Sequence, residues 1–145
     1  MEVWLLTGET ITDHDARTAA LPPRYPSVRF ALTFRDREAL YERIRRRVDK
    51  MAEAGLFDEV EALLARGLAP ESTAMQAIGY KEAAAALRGE CSRQEALDAV
   101  KLASCRYAKR QLTWLRRDSA LHWLCREDFP DEERALAEIC RVLRQ

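Results

Sequence analysis

The chain has 145 residues, 48% of them hydrophobic and 33% charged, with Lys+Arg 24 balanced by Asp+Glu 24. This apolar share supports a packed core and excludes wholesale disorder; the length fits one domain or part of a larger one. Overall neutrality makes any cationic patch a local feature rather than a consequence of composition.

No apolar run approaches the roughly 20 residues of a membrane span. The start, Met1 to Leu6, lacks the basic and long apolar stretches of a signal peptide. The expected location is the cytoplasm, without membrane association. Cys91, Cys105, Cys125 and Cys140 form no C-x-x-C pair, and neither His14 nor His122 lies at ligand spacing from them. The cysteines read as small apolar side chains or idle thiols, and no metal site is expected.

In chain order, residues 1–8 read as the tail of a helix closing at Gly8, as though the element starts before Met1. Residues 9–27 are loop-like, with Thr12 and Asp13 able to cap a short helix through Arg17. Pro22, Pro23 and Pro26 forbid a continuous one. Val28 to Phe34 is the best strand, and Leu121 to Leu124 the only other. Two short strands separated by helices suggest pieces of a parallel sheet with open edges.

Between them the chain reads helical. Asp36 caps a helix whose Leu40, Ile44, Val48 and Met51 follow the i, i+4, i+8, i+11 spacing of a buried stripe, and which stops at Gly55. Further helices are expected from about Phe57 to Arg66, from Ser72 or Ala74 to Leu87, and from a Ser92–Glu95 capping box to about Arg117. An amphipathic helix covers Asp131 to Leu143. The expected division is a helix tail and loop over 1–27 and a mostly helical part over 28–145.

Three segments carry candidate chemistry. Lys101 to Arg117 holds six basic residues and no acidic one. Arg106, Lys109, Arg110, Thr113 and Arg117 fall on one side, and Val100, Ala103, Tyr107 and Trp114 nearer the other, so one face can pack while the other meets phosphates. In Gln76 to Lys81, a glycine inside a helical run suits close approach of a backbone or ligand, beside an amide, an aromatic hydroxyl and a cation. The bland alternative is a helix start with one tolerated glycine. The third is Arg35 to Lys50, with seven basic and four acidic residues. Pairs such as Glu42–Arg46 and Arg45–Asp49 can satisfy much of that charge. Arg43 and Arg47 share a face and could hold an anion together. No Gly-rich phosphate loop, nucleophile elbow or metalloprotease motif occurs within the 145 residues, and no catalytic residue is assigned.

These segments together resemble the C-terminal part of the tRNA dimethylallyltransferase (tRNA isopentenyltransferase) family. The matching runs are LYERI (40–44), RVDKM (47–51), GLFDEVEALLARG (55–67), AMQAIGYKE (74–82) and YAKRQLTWLR (107–116), with EVWLLTG (2–8) ahead of them. They stand in the family's order, and the likeness is weakest at 9–27 and after about 125. The resemblance implies a mostly α fold with two short β-strands, a fragment of a P-loop-type α/β enzyme. It also implies transfer of dimethylallyl from dimethylallyl diphosphate to N6 of the adenosine 3′ of the anticodon, adenosine-37, usually with Mg²⁺. That base is reached by flipping. The family's P-loop and general-base aspartate are not in these residues. The chain therefore reads as a truncated member, inactive alone and expected to bind no Mg²⁺ itself.

By the same resemblance, tRNA-contacting positions fall on Gln76, Ala77, Ile78, Gly79, Tyr80 and Lys81, and on Lys109, Arg110, Gln111, Thr113 and Arg116. Gln76 and Tyr80 belong near the anticodon loop. Lys109, Arg110 and Arg116 belong at phosphates or the channel wall, Gln111 is a polar contact, and Trp114 is core. Where the family often carries Thr-Arg-Arg, this chain has Ser104-Cys105-Arg106, which puts an anion contact at 105 in doubt. Leu115 stands where Phe is common. The expected partner is a tRNA anticodon stem-loop; oligomeric state is left open. A non-catalytic RNA-binding module, one half of a split enzyme, and an inactive remnant are the alternatives.

Overall fold

The computed structural model describes residues 2–22 and 24–144. Its elements are α1 (Glu2–Thr7), α2 (Ile11–Ala19), β1 (Arg29–Thr33), α3 (Arg37–Glu53), α4 (Leu56–Ala65), α5 (Tyr80–Leu87), α6 (Arg93–Leu115), β2 (Leu121–Cys125) and α7 (Glu132–Leu143). Short 3-10 turns occupy Thr73–Gln76 and Arg126–Asp128. Mostly helical with two strands is thus the observed class.

The body is built from α3 to α6. Leu56, Phe57 and Val60 of α4, Met75 of the 3-10 turn, Ala83 and Ala84 of α5 and Ala96 of α6 form one buried cluster. The alanine run of α5 brings its backbone close to both α4 and α6, because small side chains shorten the interaxial distance. Arg93, at the first turn of α6, lays its guanidinium over the Phe57 ring at 4.9 Å. Gly55, at φ 98, carries the chain from α3 into α4.

β1 and β2 pair in parallel, with Arg29 opposite Leu121 and Thr33 opposite Cys125. Parallel strands need a long crossover, and α3 to α6 supply it. Arg29 reaches Asp118 ahead of β2 at 2.5 Å. Beyond the strands, the Arg35 amide donates to Glu127 at 3.1 Å. Ala31 and Leu124 are buried, while Val28, Leu32 and Trp123 are exposed. Among the described residues each strand has one unpaired edge.

Four expectations need correction. The first strand is shorter than Val28 to Phe34, because both end residues lie outside the register with β2. Helix α2 is capped by Thr10, whose hydroxyl accepts the Asp13 amide at 3.1 Å, not by Thr12 or Asp13. Arg45 does not pair with Asp49. It turns to Glu38 at 2.5 Å, and Asp49 instead takes Lys101 of α6 at 2.6 Å. Glu42–Arg46 does form, at 3.7 Å.

The fourth is the helix expected from Ser72 or Ala74 to Leu87, which is broken. After the 3-10 turn, Ala77 is extended at φ −61, ψ 143, and Gly79 sits at φ 106, ψ −49 as the cap of α5. Gly79 is therefore not a tolerated helix-interior glycine. It occupies a conformation that any Cβ would strain.

Candidate nucleic-acid interface

Helices α3 and α6 lie side by side and run in opposite directions. Asp49 meets Lys101, and Leu40 shares a cavity with Leu112. Val48 and Val100 are buried at their crossing. Along one side the pair leaves a groove of about 780 Å³. The apolar stripe of α3, Leu40, Ile44, Val48 and Met51, forms one wall. Val100, Ser104, Tyr107 and Gln111 of α6, at helical spacing, form the other. Gln76, Ala77 and Ile78 close the groove. Its polar side chains are Arg47, Gln76, Ser104, Tyr107 and Gln111 on otherwise apolar walls, the usual make-up of a ligand cleft.

The groove thus joins residues from all three candidate segments: Arg47, Gln76 to Ile78, and Gln111. Arg43 is not on its wall, so Arg43 and Arg47 do not converge there. Gln76 donates its amide to the Pro70 carbonyl at 3.0 Å, which leaves Oε1 as an acceptor. With Lys81 it also lines a second cleft of about 400 Å³ that includes Arg88 and Glu90. Tyr80 turns away from the groove. It packs against the body cluster and donates its hydroxyl to Glu59 of α4, a bond that raises its pKa. Lys81 stands 3.6 Å from Glu82.

Lys109, Arg110 and Thr113 of α6, and Arg116 at its C-cap, are exposed outside the main groove. The Thr113 hydroxyl is spent on the Lys109 carbonyl at 2.9 Å. Arg110 lies 5.7 Å over the Tyr107 ring. Arg116 lines a cavity of about 250 Å³ with Arg35, Arg37, Thr33, Phe34 and Leu112. The expected core position of Trp114 is wrong: its side chain is 69% exposed. It shares a face with Tyr107 and Gln111, the face that borders the open groove rather than the buried cluster. Helical phase grouped Val100 with Tyr107 and Trp114 as a packing face, yet of these three only Val100 is buried, because phase carries no information about which part of a face another element covers.

Cys105 of α6, where an anion contact was in doubt, is half-buried near Arg45 of α3. Burial pushes its thiol pKa up and the Arg45 guanidinium opposes this, so a neutral thiol stands there at neutral pH. The sequence reading missed Arg35 and Arg37 beside Arg116. It also missed Glu82, which accepts the Gly79 amide at 2.8 Å. The signal for Glu82 was present: an acid three residues after a helix-starting residue, the same spacing as Ser92–Glu95.

A family model described as IPP transferase matches residues 1–118. The chain is 43% identical to a tRNA dimethylallyltransferase of Pelotomaculum thermopropionicum, over 97% of this chain and 44% of that protein. Its fold is similar to a tRNA delta(2)-isopentenylpyrophosphate transferase from Staphylococcus epidermidis, with TM-score 0.80 and 35% identity, covering 99% of this chain and 46% of that one. The tRNA isopentenylpyrophosphate transferase of Bacillus halodurans gives TM-score 0.78 and 34% identity, covering 99% and 50%. The chain belongs to the IPP transferase family, and it spans half or less of the length of these relatives.

Proposed function

We propose that this chain is the tRNA-binding part of a tRNA dimethylallyltransferase acting in the cytoplasm. The carrying observation is the groove that unites Gln76 to Ile78 with Gln111 and Arg47, beside an α6 face rich in unpaired cations. Of the six basic residues from Lys101 to Arg117, Lys101 is tied to an acid of α3. Arg106, Lys109, Arg110, Arg116 and Arg117 have no ion pair among the described residues.

In this reading the α6 cations hold phosphates of the anticodon stem-loop, and the groove receives unstacked nucleotides, with the Gln76 and Gln111 amides reading base edges. Arg47 in the groove, and Arg37 with Arg116 in the smaller cavity, are further anion partners. The reaction of the whole enzyme joins a dimethylallyl group from dimethylallyl diphosphate to N6 of adenosine-37. The diphosphate cradle and general base belong to a P-loop part outside these 145 residues. Mg²⁺ would serve the diphosphate there. Among the described residues no group of His, Cys, Asp or Glu suits a metal ion, so no step is assigned to one on this chain.

Titration of the chain with tRNA over a salt series tests this. Lys109→Ala with Arg110→Ala is expected to weaken binding and to flatten the salt slope by about 1 to 2, since each phosphate contact releases counterions. Unchanged affinity and slope at low salt would overturn the phosphate assignment. No prenyl transfer is expected from the chain alone with dimethylallyl diphosphate; measured turnover would overturn the division of labour.

A further inference from the structure

We infer that Glu82 is a positioning residue: it locks Gly79 and so holds Gln76, Ala77 and Ile78 in the shape that closes the groove. The inference rests on the RNA-binding reading above and assigns a role that reading does not contain. Gly79 lies at φ 106, ψ −49, a backbone state with no intrinsic preference to hold it there. Its N–H, an orphan donor at a helix start, donates to Glu82 Oε2 at 2.8 Å. The Glu82 side chain is only 10% exposed, and Lys81 Nζ approaches its other oxygen at 3.6 Å.

The residues before Gly79 are also tied upstream: Gln76 donates its side-chain amide to Pro70 at 3.0 Å and its backbone amide to Ser72 at 3.2 Å, and the Ala77 amide donates to Ala74 at 3.3 Å. Ala77 is extended, and its carbonyl is gripped by the Tyr80 amide at 3.1 Å. On the downstream side the path of Ala77 and Ile78 is held by that turn and by the Glu82 grip on Gly79. The same carboxylate occupies the positive end of α5, where an RNA phosphate could otherwise bind. Gln76 to Ile78 therefore meet RNA through base or sugar, and phosphate neutralisation falls to the cations of α6 and α3.

Glu95 provides a matched control. It accepts the Ser92 amide at 2.8 Å at the start of α6, with the same N3 chemistry, and lines none of the three cavities. The test uses this chain with Glu82→Ala, Glu82→Gln and Glu95→Ala. It measures tRNA affinity over a salt series, thermal melting and exchange of the Gly79 amide proton.

Glu82→Ala is expected to speed Gly79 exchange and weaken tRNA binding about tenfold, the scale of one lost charge-assisted hydrogen bond, with the salt slope unchanged. Glu82→Gln keeps an acceptor oxygen and is expected to restore most of both. Glu95→Ala is expected to lower the melting temperature comparably and leave affinity intact. Should Glu82→Ala fail to fold, Glu82→Asp withdraws the carboxylate by one methylene and carries the same expectation.

Three outcomes overturn the inference alone: wild-type-like binding by Glu82→Ala, no rescue by Glu82→Gln, or an equal affinity loss in Glu95→Ala. A wild-type chain that binds no tRNA overturns the RNA-binding reading and this inference with it.

Discussion

The helical body and the strand pair differ in how completely each buries what it presents. In the body, Val60 and Met75 are fully buried at 0% exposure, and every element from α3 to α6 contributes to shared packing. In the strand pair, Ala31 and Leu124 are covered, yet Leu32 remains 59% exposed and each strand keeps a free edge among the described residues. A two-stranded sheet is marginal by itself, so the pair leans on its end contacts, Arg29 with Asp118 and Arg35 with Glu127. The comparison shows that stability and the candidate site reside together in the helices.

The largest expected effect is Met75→Ala, at about 2–5 kcal/mol of unfolding free energy by denaturant titration, because a fully buried side chain leaves a cavity between three elements. A loss below about 1 kcal/mol would mean that the body repacks freely and is not the stabilising unit. Lys101→Ala breaks the bridge between α3 and α6 and is expected to cost about 0.2–1 kcal/mol, since Asp49 remains about half exposed. A double-mutant cycle with Asp49→Ala reads that coupling directly.

Leu32→Ala, on the uncovered strand face, is expected to change stability by no more than about 0.5 kcal/mol. A large loss there would show that the strand face is packed and erase the contrast with the body.

The smallest effect is on the acid side. Backbone and hydroxyl hydrogen bonds from Ser92 hold Glu95 below the ordinary carboxylate range, and the Cys125 thiol with the Arg35 and Asp36 amides does the same for Glu127. A carboxylate depressed in the folded state contributes stability that is full above its unfolded pKa and is lost as pH falls through the folded value. Melting temperature is therefore expected to decline as pH drops below the ordinary Glu range, with Glu95→Gln showing less of that decline. A flat acid limb in wild type would contradict both assignments.

The two helix starts show how much was legible. Ser92–Glu95 was readable because serine is a familiar cap and the acid follows three residues later. Gly79–Glu82 uses the same carboxylate spacing. Glycine offers no cap side chain, and the surrounding residues all suit a helix, so the sequence reads as one run. The run breaks between the 3-10 turn, whose Met75 is buried in the cluster with Val60 and Ala84, and Gly79, with Ala77 extended and lining the groove. Pairing was ambiguous for a similar reason. Arg45 had acids both before and after it on its own helix, and the sequence did not reveal that Lys101 of α6 would claim Asp49.

Local chemistry written along the chain was enough to determine the helix periods, most of the caps, the two strands and the cationic segment, because each depends on neighbours within a few residues. Only tertiary structure could decide which faces meet. It placed Gln76 to Ile78 against Gln111 and Arg47, turned Tyr80 toward Glu59, and left Trp114 in solvent. Those outcomes depend on packing between segments distant in sequence for the groove, and, for Trp114, on which part of its α6 face another element covers. Neither quantity is encoded in any single helix's periodicity.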